Sequence, residues 1–244
     1  MSQQTLYGIH AIERVLKQAP QHIYRLVLEE GRLNARQQAL KALADKLGVR
    51  CEIQPKSFFS KLDGIHQGVF AEVAKQAQWS EEDLDKLVAT KPDALILFLD
   101  EVQDPHNLGA ILRTADAIGV DAVVIPKNNS VGINATVRKV ACGAADTVQT
   151  LVVTNLSRTI NRLQQAGLWV IGLAGEAENT IYQAKFSGKL GLVMGAEGTG
   201  MRQLTRQNCD EILAIPMLGE VESLNVSVAT AVTLYEIQRQ RALF

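Results

Sequence analysis

The sequence predicts an α/β protein in two parts, a small α/β domain followed by a larger doubly wound domain with a mostly parallel sheet. In the second part, apolar runs of strand length alternate with helical segments, the pattern of a sheet covered by helices on both faces. A polar, charged stretch separates this part from a shorter α/β segment in front. We therefore expect a domain over residues 1–75, a linker over 76–90 and a domain over 91–244.

The front segment alternates helix and strand patterns. Helices are expected over residues 8–18 and 34–47, the second of them amphipathic and ended by a glycine. The strands are YRLVLEE at 24–30 and VRCEIQ at 49–54. The polar stretch 75–93 that follows is typical of a linker or a short bridging helix.

The second segment reads as a repeated strand and helix. Its expected strands are the apolar runs ALILFLDEV at 94–102, DAVVIP at 121–126, QTLVV at 149–153, LWVIGLA at 168–174, KLGLVMG at 189–195 and EILAIP at 211–216. Between them lie helices such as 156–166, capped by Asn155 and stopped by Gly167. In sheets of this kind ligands bind where loops leave the carboxyl ends of strands, so those loops are the place to look for chemistry.

Composition argues against a membrane or secreted protein. No run approaches the ~20 apolar residues of a spanning helix, and the N-terminal MSQQTLYGIH lacks the basic-then-apolar order of a secretion signal. We expect a cytoplasmic protein with no membrane partner. Cys51, Cys142 and Cys209 lie far apart and form no C-x-x-C, so neither disulfides nor a structural metal are expected.

The net charge of −1 hides an asymmetry along the chain. Residues 1–75 carry 11 Lys and Arg against 7 Asp and Glu, a net charge of +4, whereas the remaining residues carry −5. Nucleic-acid binding is driven by cations that neutralise phosphates. The front domain is therefore the part that an RNA would favour, although an ordinary solvated surface also shows such a charge.

The first candidate loop is DEVQDPHNLGAILRTADAIG, in which a strand leads into a helix expected to be capped by Asn107 and to end at Gly119. Gly109 permits a close approach, and Arg113 is expected about a turn and a half above a helix N-terminus that attracts anions. The alternative is that Asn107 is only a cap and Arg113 a surface residue paired with Asp116.

The second candidate loop is LVMGAEGTGM, which follows an apolar strand. Its glycines stand in the order G-x-x-G-x-G, which does not match the dinucleotide fingerprint G-x-G-x-x-G, and this argues against a nucleotide-dependent dehydrogenase. The glycines still let the backbone approach a ligand, and Glu197 stands among them. A plain glycine turn with an exposed Glu is the alternative.

The third candidate loop is IPMLGEVESLNVSVATAVTLYEIQ, which leads into a long terminal helix. Either Ser223 or Asn225 can cap that helix, but capping explains only one of the two. Leu224 between them is an apolar residue where a cap loop is normally polar.

Together these segments resemble motifs 1, 2 and 3 of the SpoU branch of the SPOUT methyltransferases. The motifs N-x-G-x-x-x-R-T, G-A-E-G-x-G and P-M-x-G-x-x-x-S-L-N-V-S-V-A stand at positions 107–114, 195–200 and 216–229. In front, YGIHAIERVL and HQGVFAEVA resemble the substrate-binding domain of the family, which is similar to ribosomal proteins that bind kink-turns. The likeness therefore covers nearly the whole chain.

The resemblance implies an RNA ribose 2′-O-methyltransferase that uses S-adenosylmethionine, and within the family it is strongest to enzymes that methylate a guanosine of 23S ribosomal RNA. It also implies a trefoil knot in the C-terminal domain and a homodimer. Knots are rare among proteins in general, so the strand pattern alone would predict an unknotted sheet. The residues implied to surround the reacting ribose are Asn107, Arg113, Glu197, Ser223 and Asn225, and those implied to contact the cofactor are Gly195, Ile215, Leu224, Ala174 and Met217.

Methyl transfer requires the ribose 2′-hydroxyl to lose its proton. Proposals for the family assign the base to the arginine of motif 1, but arginine side chains have pKa values above ~12 and stay protonated at neutral pH. We therefore expect Arg113 to grip a phosphate and to stabilise the developing alkoxide, while a neighbouring group accepts the proton. His106 is expected to have at most a minor role, so that His106→Ala retains most activity in a methylation assay.

Phosphate contacts in the front domain are expected from its basic residues, Arg14, Lys17, Arg25, Arg32 and Arg36. Two other functions remain open. A tRNA ribose methyltransferase would share all three motifs and differ in the RNA that it selects. A non-catalytic RNA-binding or ribosome-assembly protein would keep the fold without binding the cofactor.

Overall fold

The computed structural model describes residues 3–62, 66–74 and 79–242. The chain forms two compact units, Met1–Ala77 and Gln78–Phe244. Within the described residues, every helix is too short or too polar to cross a lipid bilayer.

The front unit is a mixed sheet with its two longer helices packed on one face. Its strands are β1 (Gln3–Tyr7), β2 (Ile23–Glu29), β3 (Cys51–Gln54) and β4 (Val69–Ala74), in the order β1-β4-β2-β3. Strand β4 is antiparallel to both β1 and β2, whereas β3 is parallel to β2. The helices are α1 (Ile9–Gln18), α2 (Ala35–Lys46) and the single turn α3 (Lys56–Phe59), with a 3-10 turn over Pro20–His22. The two helices and two strands predicted for this segment are present.

The two faces of the front sheet carry different cores. Leu26 and Leu28 of β2 point into a cluster that includes Ile12 of α1 and Leu40 of α2. Val27, between them, points to the other face and joins a small aromatic cluster, because side chains alternate along a strand. That second face is therefore only partly covered.

The second unit is a six-stranded sheet in which every pairing is parallel. Its strands are β5 (Leu95–Leu99), β6 (Ala122–Pro126), β7 (Thr150–Val153), β8 (Trp169–Leu173), β9 (Leu190–Met194) and β10 (Glu211–Leu213), in the order β10-β8-β9-β5-β6-β7. The helices are α4 (Glu81–Thr90), α5 (Pro105–Ile118), α6 (Ala135–Ala141), α7 (Ala144–Thr147), α8 (Leu156–Gln165), α9 (Gln203–Gln207) and α10 (Val226–Ala242). The prediction of a mostly parallel α/β sheet is confirmed.

The packing of β5 explains why its sequence is apolar throughout. Leu97 and its odd-numbered neighbours pack against α5, α6 and α10, whereas Ile96 and Phe98 pack against α4 and α8. All five residues of the strand are buried. A strand with helices on both faces has no solvent side, so no polar alternation appears in its sequence.

Helix α4 occupies most of the predicted linker. Leu84 and Val88 are fully buried in the core of the second unit, and Glu81 forms an ion pair with Arg162 of α8 at 2.6 Å. The second unit therefore starts before the predicted boundary at residue 91, because one face of this polar stretch is apolar at helical spacing. Residues 76–78 of the predicted linker lie outside the described residues.

The C-terminal half of α10 is tied to the loop that precedes β9. Gln240 donates to the carbonyl of Ala184 at 3.1 Å and accepts from the backbone N–H of Phe186 at 3.0 Å. Arg239 and Gln240 also hydrogen-bond the carboxylate of Glu236, and the Arg239 bond is the main cause that lowers the Glu236 pKa to about 2. The Gln240 bonds hold the end of α10 against this loop. The trefoil knot stays a prediction.

Gly109 is required for the packing of α5 against α6. A Cβ at this position would lie 2.6 Å from Cβ of Val140 and 3.1 Å from the carbonyl oxygen of Val137. The close approach predicted at this glycine is therefore made by a neighbouring helix.

We expect Gly109→Ala to lower the free energy of unfolding by about 1–3 kcal/mol, because the cost of overpacking outweighs the higher helix propensity of alanine. Urea denaturation measures the change. Gly132→Ala is the matched control, since a Cβ there meets nothing within 4 Å. An unchanged midpoint for Gly109→Ala would show that α6 can move away at no cost.

Candidate active site

Three polar side chains from distant parts of the second unit form one hydrogen-bond network. Asn107 Nδ2 donates to Glu197 Oε1 at 2.8 Å, Asn225 Nδ2 donates to the same oxygen at 2.6 Å, and Asn225 Nδ2 also donates to Asn107 Oδ1 at 3.0 Å. Asn107 is only 7 % exposed, whereas Glu197 and Asn225 are exposed. The network is therefore buried at Asn107 and open to solvent at Glu197 and Asn225.

The hydrogen-bond partners of Asn107 and Asn225 determine how their side-chain amides are oriented. The backbone N–H of Ser227 can only donate, and it lies 2.9 Å from Oδ1 of Asn225, so Nδ2 of Asn225 must face the network. A carboxylate can only accept, which turns Nδ2 of Asn107 toward Glu197. Both amide protons of Asn225 are then used. Among the described residues, one amide proton of Asn107 and the Oε2 oxygen of Glu197 have no hydrogen-bond partner and are available to a ligand.

Asn107 lies inside α5 and does not cap it. The cap is Asp104, whose Oδ1 accepts from the backbone N–H of His106 at 2.8 Å, and Pro105 is the first helical residue. The prediction that Asn107 caps the helix was wrong, because proline at the first position extends the helix by nearly a turn. Because Asp104 is the cap, the Asn107 side chain can hydrogen-bond to Glu197 and Asn225 instead.

Arg113 lies farther from the helix N-terminus than predicted. It is the ninth residue of α5, about 12 Å along the axis from the first, and so beyond the unpaired N–H groups of the first turn. Its exposed guanidinium makes a long contact of 4.0 Å from Nη1 to Sγ of Cys142. Asp116, its predicted partner in the alternative, accepts a hydrogen bond from Thr147 at 2.8 Å. Within the described residues, Arg113 makes no hydrogen bond to the network.

The glycine-rich loop after β9 presents Glu197 on a closed turn. Ala196 and Gly200 exchange two backbone hydrogen bonds, each 3.0 Å long. Gly198 and Gly200 have φ values of 78° and 69°, which glycine adopts without strain. A Cβ on Gly195 would lie 2.2 Å from the backbone carbon of Gly200, so the turn closes only with glycine there.

Asp100, which the sequence interpretation missed, clamps both ends of this loop. Its backbone N–H donates to the carbonyl of Met194 at 2.7 Å, just before the loop. Its carboxylate, fully buried, accepts from the backbone N–H of Arg202 at 2.9 Å and from Nε of Arg202 at 2.8 Å, just after the loop. A carboxylate at the end of an all-apolar strand is the signal that could have revealed it.

We expect Asp100→Asn to lower the free energy of unfolding by about 2 kcal/mol, because it removes the charge of a buried carboxylate that accepts two hydrogen bonds from the half-exposed Arg202. Urea denaturation with Glu101→Gln as the control measures this, since Glu101 contacts the same guanidinium at a longer 3.5 Å. Equal stability of the two variants would contradict the clamp.

In the third loop, Ser223 and Asn225 have different environments. Asn225 caps α10, since Oδ1 accepts from the N–H and the hydroxyl of Ser227 and the backbone oxygen accepts from Ala229. The same side chain joins the network through Nδ2. Ser223 is exposed, and among the described residues it forms no hydrogen bond to the network. Asn225 therefore both caps α10 and joins the network, whereas the sequence left open which of Ser223 and Asn225 is the cap.

The residues predicted to contact a cofactor lie at the carboxyl edge of three neighbouring strands. Ala174 follows β8, Gly195 follows β9 and Ile215 lies two residues after β10. All of them are partly buried, as are Met217 and Leu224. Within the described residues, no hydrogen bond uses the backbone N–H or carbonyl of Gly195, Ile215, Met217 or Leu224. The edge therefore combines apolar surface with unused backbone groups, which suits a flat heterocycle.

In the front unit, Arg25 does not fit a phosphate contact. Its guanidinium donates to Glu52 at 2.7 Å and to Glu72 at 2.5 Å, and these carboxylates, Glu72 first, raise its pKa. Its charge is thus already neutralised. Lys17 pairs with Glu13 on the surface, while Arg32 and Arg36 are exposed. Arg14 has a partner of its own, and the phosphate contacts of these four cations stay predictions.

No group of three or more side chains with metal-ligating chemistry occurs among residues 3–62, 66–74 and 79–242. The three cysteines are free thiols. The second unit thus offers a cluster of amide and carboxylate groups beside an apolar edge. Fold and site together define a doubly wound α/β protein with a candidate ligand site at the carboxyl ends of its strands.

Comparison with known proteins identifies the family. Residues 94–235 match the SpoU rRNA Methylase family, and residues 5–79 match the family of RNA 2'-O ribose methyltransferase substrate-binding domains. The chain therefore belongs to the SpoU rRNA methylase family.

Relatives and solved structures agree with this assignment. The chain is 52% identical to the 23S rRNA (guanosine-2'-O-)-methyltransferase RlmB of Pseudomonas aeruginosa, with 99% of this chain and 98% of the relative covered. It is 51% identical to the RlmB of Haemophilus influenzae, with 99% of each chain covered. The fold matches the SpoU methyltransferase AviRb of Streptomyces viridochromogenes, crystallised in complex with AdoMet, with a TM-score of 0.75 at 19% identity, covering 99% of this chain and 92% of that one.

Proposed function

We propose that this protein transfers the methyl group of S-adenosylmethionine to the ribose 2′-hydroxyl of a guanosine in 23S ribosomal RNA. The observation that carries the proposal is the convergence of Asn107, Glu197 and Asn225 beside the apolar edge formed by β8, β9 and β10. The 23S guanosine is proposed from the names of relatives that are about half identical to the chain over nearly its full length.

The carboxyl edge of the sheet fits S-adenosylmethionine. The unused backbone groups of Gly195, Ile215, Met217 and Leu224 can hydrogen-bond an adenine ring, and the apolar side chains can cover its faces. When bound, the cofactor supplies a methyl group on a positively charged sulfur. The chain itself must then place the ribose oxygen in line with that methyl group, which in well-oriented systems contributes about 7–11 kcal/mol.

The network is suited to hold the ribose. The remaining amide proton of Asn107 can donate to a sugar oxygen, and Oε2 of Glu197 can accept from the 2′-hydroxyl. We assign Glu197 as the group that receives this proton as the oxygen forms its bond to carbon. Asn225 then acts by holding Glu197 and Asn107 in position, and its cap on α10 fixes its own side chain.

Arg113 is assigned an electrostatic function. It is exposed on α5, about 1.7 turns beyond Asn107, where an RNA backbone can reach it. A charged, planar guanidinium binds a phosphate through two parallel hydrogen bonds and stabilises negative charge nearby. Ser223, exposed in the third loop, is assigned a contact to the substrate.

The remaining parts of the proposal concern assembly. The front unit selects the RNA through exposed cations such as Arg32 and Arg36. The second unit is proposed to be knotted and to form a homodimer, as expected for this family. A 23S ribosomal RNA substrate implies that the protein works in the cytoplasm.

The test is to incubate purified protein with S-adenosylmethionine carrying a labelled methyl group and with transcripts of 23S ribosomal RNA and of tRNA, and to map the product by mass spectrometry. The proposal predicts a single 2′-O-methylguanosine in the 23S transcript. Label in tRNA alone would make the chain a tRNA ribose methyltransferase. No label in either RNA would favour a non-catalytic RNA-binding protein.

A further inference from the structure

We propose that Phe58, with Lys56 and Lys61, forms a stacking platform for one unpaired base of the RNA substrate. This inference rests on the proposed function, because it takes RNA as the substrate. The three residues lie on and just after α3, at the partly covered face of the front sheet. None of them belongs to the three motifs of the second unit.

Phe58 is held rigidly and yet remains accessible. Its ring stacks on that of Phe70, with centroids 5.9 Å apart and planes inclined by 15°, and it meets the edge of Phe59 at 6.0 Å. Phe70 and Phe59 are buried, whereas Phe58 is 38 % exposed. A ring fixed by two neighbours loses little conformational entropy when another flat group stacks on it.

The charge around Phe58 suits a nucleic acid. The segment PKSFFSKL, residues 55–62, contains two lysines and no acidic residue. Both lysines are exposed, and neither forms an ion pair with a residue that the structure describes. Farther along the same sheet face, Arg25 and Arg50 are balanced by Glu52 and Glu72. Among the described residues, the two lysines beside the exposed ring therefore have no carboxylate partner; Asp63, the next acidic residue along the chain, lies outside the described residues.

An RNA base fits this surface better than a protein partner does. A protein interface needs about 800 Å² on each side with an apolar centre, far more than one exposed ring. Bases splayed out of RNA loops stack on single aromatic side chains while nearby lysines contact phosphates. Ile53, which is 60 % exposed in the same unit, cannot offer such a stack because it is aliphatic.

The test measures the affinity of the full-length protein for a 23S ribosomal RNA transcript at fixed salt, with Phe58→Leu, Phe58→Trp and Ile53→Ala compared with the unchanged protein. Loss of one base stack weakens binding by about 5- to 150-fold, so Phe58→Leu should fall in this range. Phe58→Trp should stay within about threefold, because it keeps an aromatic face. Ile53→Ala should bind normally, and thermal melting verifies that all variants fold.

The kinetic consequence separates a binding role from a general loss of structure. Phe58→Leu should raise KM for RNA by the same factor while kcat at saturating RNA and the affinity for S-adenosylmethionine stay unchanged. The double variant Lys56→Gln, Lys61→Gln should reduce the slope of log affinity against log salt by about 1–2, since each phosphate contact contributes about 0.7–0.9.

Normal RNA affinity of Phe58→Leu, or an affinity of Phe58→Trp as low as that of Phe58→Leu, would overturn the platform. Either result could occur with methylation intact, which would leave the proposed function standing. Conversely, an aromatic-dependent affinity in a protein that methylates no RNA would support the platform and contradict the proposed function.

Discussion

Glu197→Gln is expected to lower kcat by about 10²–10³-fold, the loss that follows when a preorganised polar group is removed from a reaction centre. The carboxylate accepts amide protons from Asn107 and Asn225 on a single oxygen. Glutamine offers a neutral carbonyl and an N–H₂ group, so it holds the two asparagines less firmly and cannot receive a proton from the 2′-hydroxyl. Single-turnover methylation of the 23S transcript measures the chemical step.

The control for this variant is Glu82→Gln, an exposed glutamate of α4 away from the network. It should retain the full rate. Glu197→Gln should also bind S-adenosylmethionine with unchanged affinity, because the predicted cofactor contacts are made by other residues. Combined with Asn225→Ala, its effect should be far from additive, since both residues belong to one network. A kcat within tenfold of the unchanged protein would rule out Glu197 as the proton acceptor.

Arg113→Lys is expected to lower kcat/KM for RNA by about 10²-fold, because lysine keeps the charge but loses the planar fork that binds a phosphate through two bonds. Because Glu197 is assigned as the proton acceptor in both proteins, their pH–rate profiles should be parallel. Steady-state methylation across a range of pH measures both effects.

Arg158→Lys is the matched control, since this exposed arginine of α8 contacts Glu81 and takes no part in the site. It should methylate RNA at the normal rate. A near-normal rate for Arg113→Lys would show that two parallel hydrogen bonds from the guanidinium to a phosphate are not required. A rate that rises with pH only in the protein with Arg113 would instead favour arginine as the base.

The fold was largely predictable because burial leaves a clear pattern in sequence. Strand β5 is apolar throughout since helices cover both of its faces, and strands β6 and β9 are buried along their whole length in the same way. Helix α4 was less clear, because its polar outer face made the stretch resemble a linker while only Leu84 and Val88 marked its buried side.

The site was predictable in its residue types and less so in its geometry. Asn107 looked like a helix cap, since the sequence alone does not say that Asp104 and Pro105 start the helix earlier. Asp100 was missed because its partner, Arg202, lies 102 residues later in the chain. Arg25 looked available for RNA, because the carboxylates that neutralise it come from two other strands. Long-range pairings of this kind leave no local pattern.

The most direct test of the account is a calorimetric titration of S-adenosylmethionine into the full-length protein, alone and with saturating 23S transcript. If the loops after β8, β9 and β10 form the cofactor site beside the network of Asn107, Glu197 and Asn225, the titration should show one binding site per chain. Absence of binding heat under both conditions, with RNA binding intact, would contradict the assignment of this edge as a methyl-transfer site.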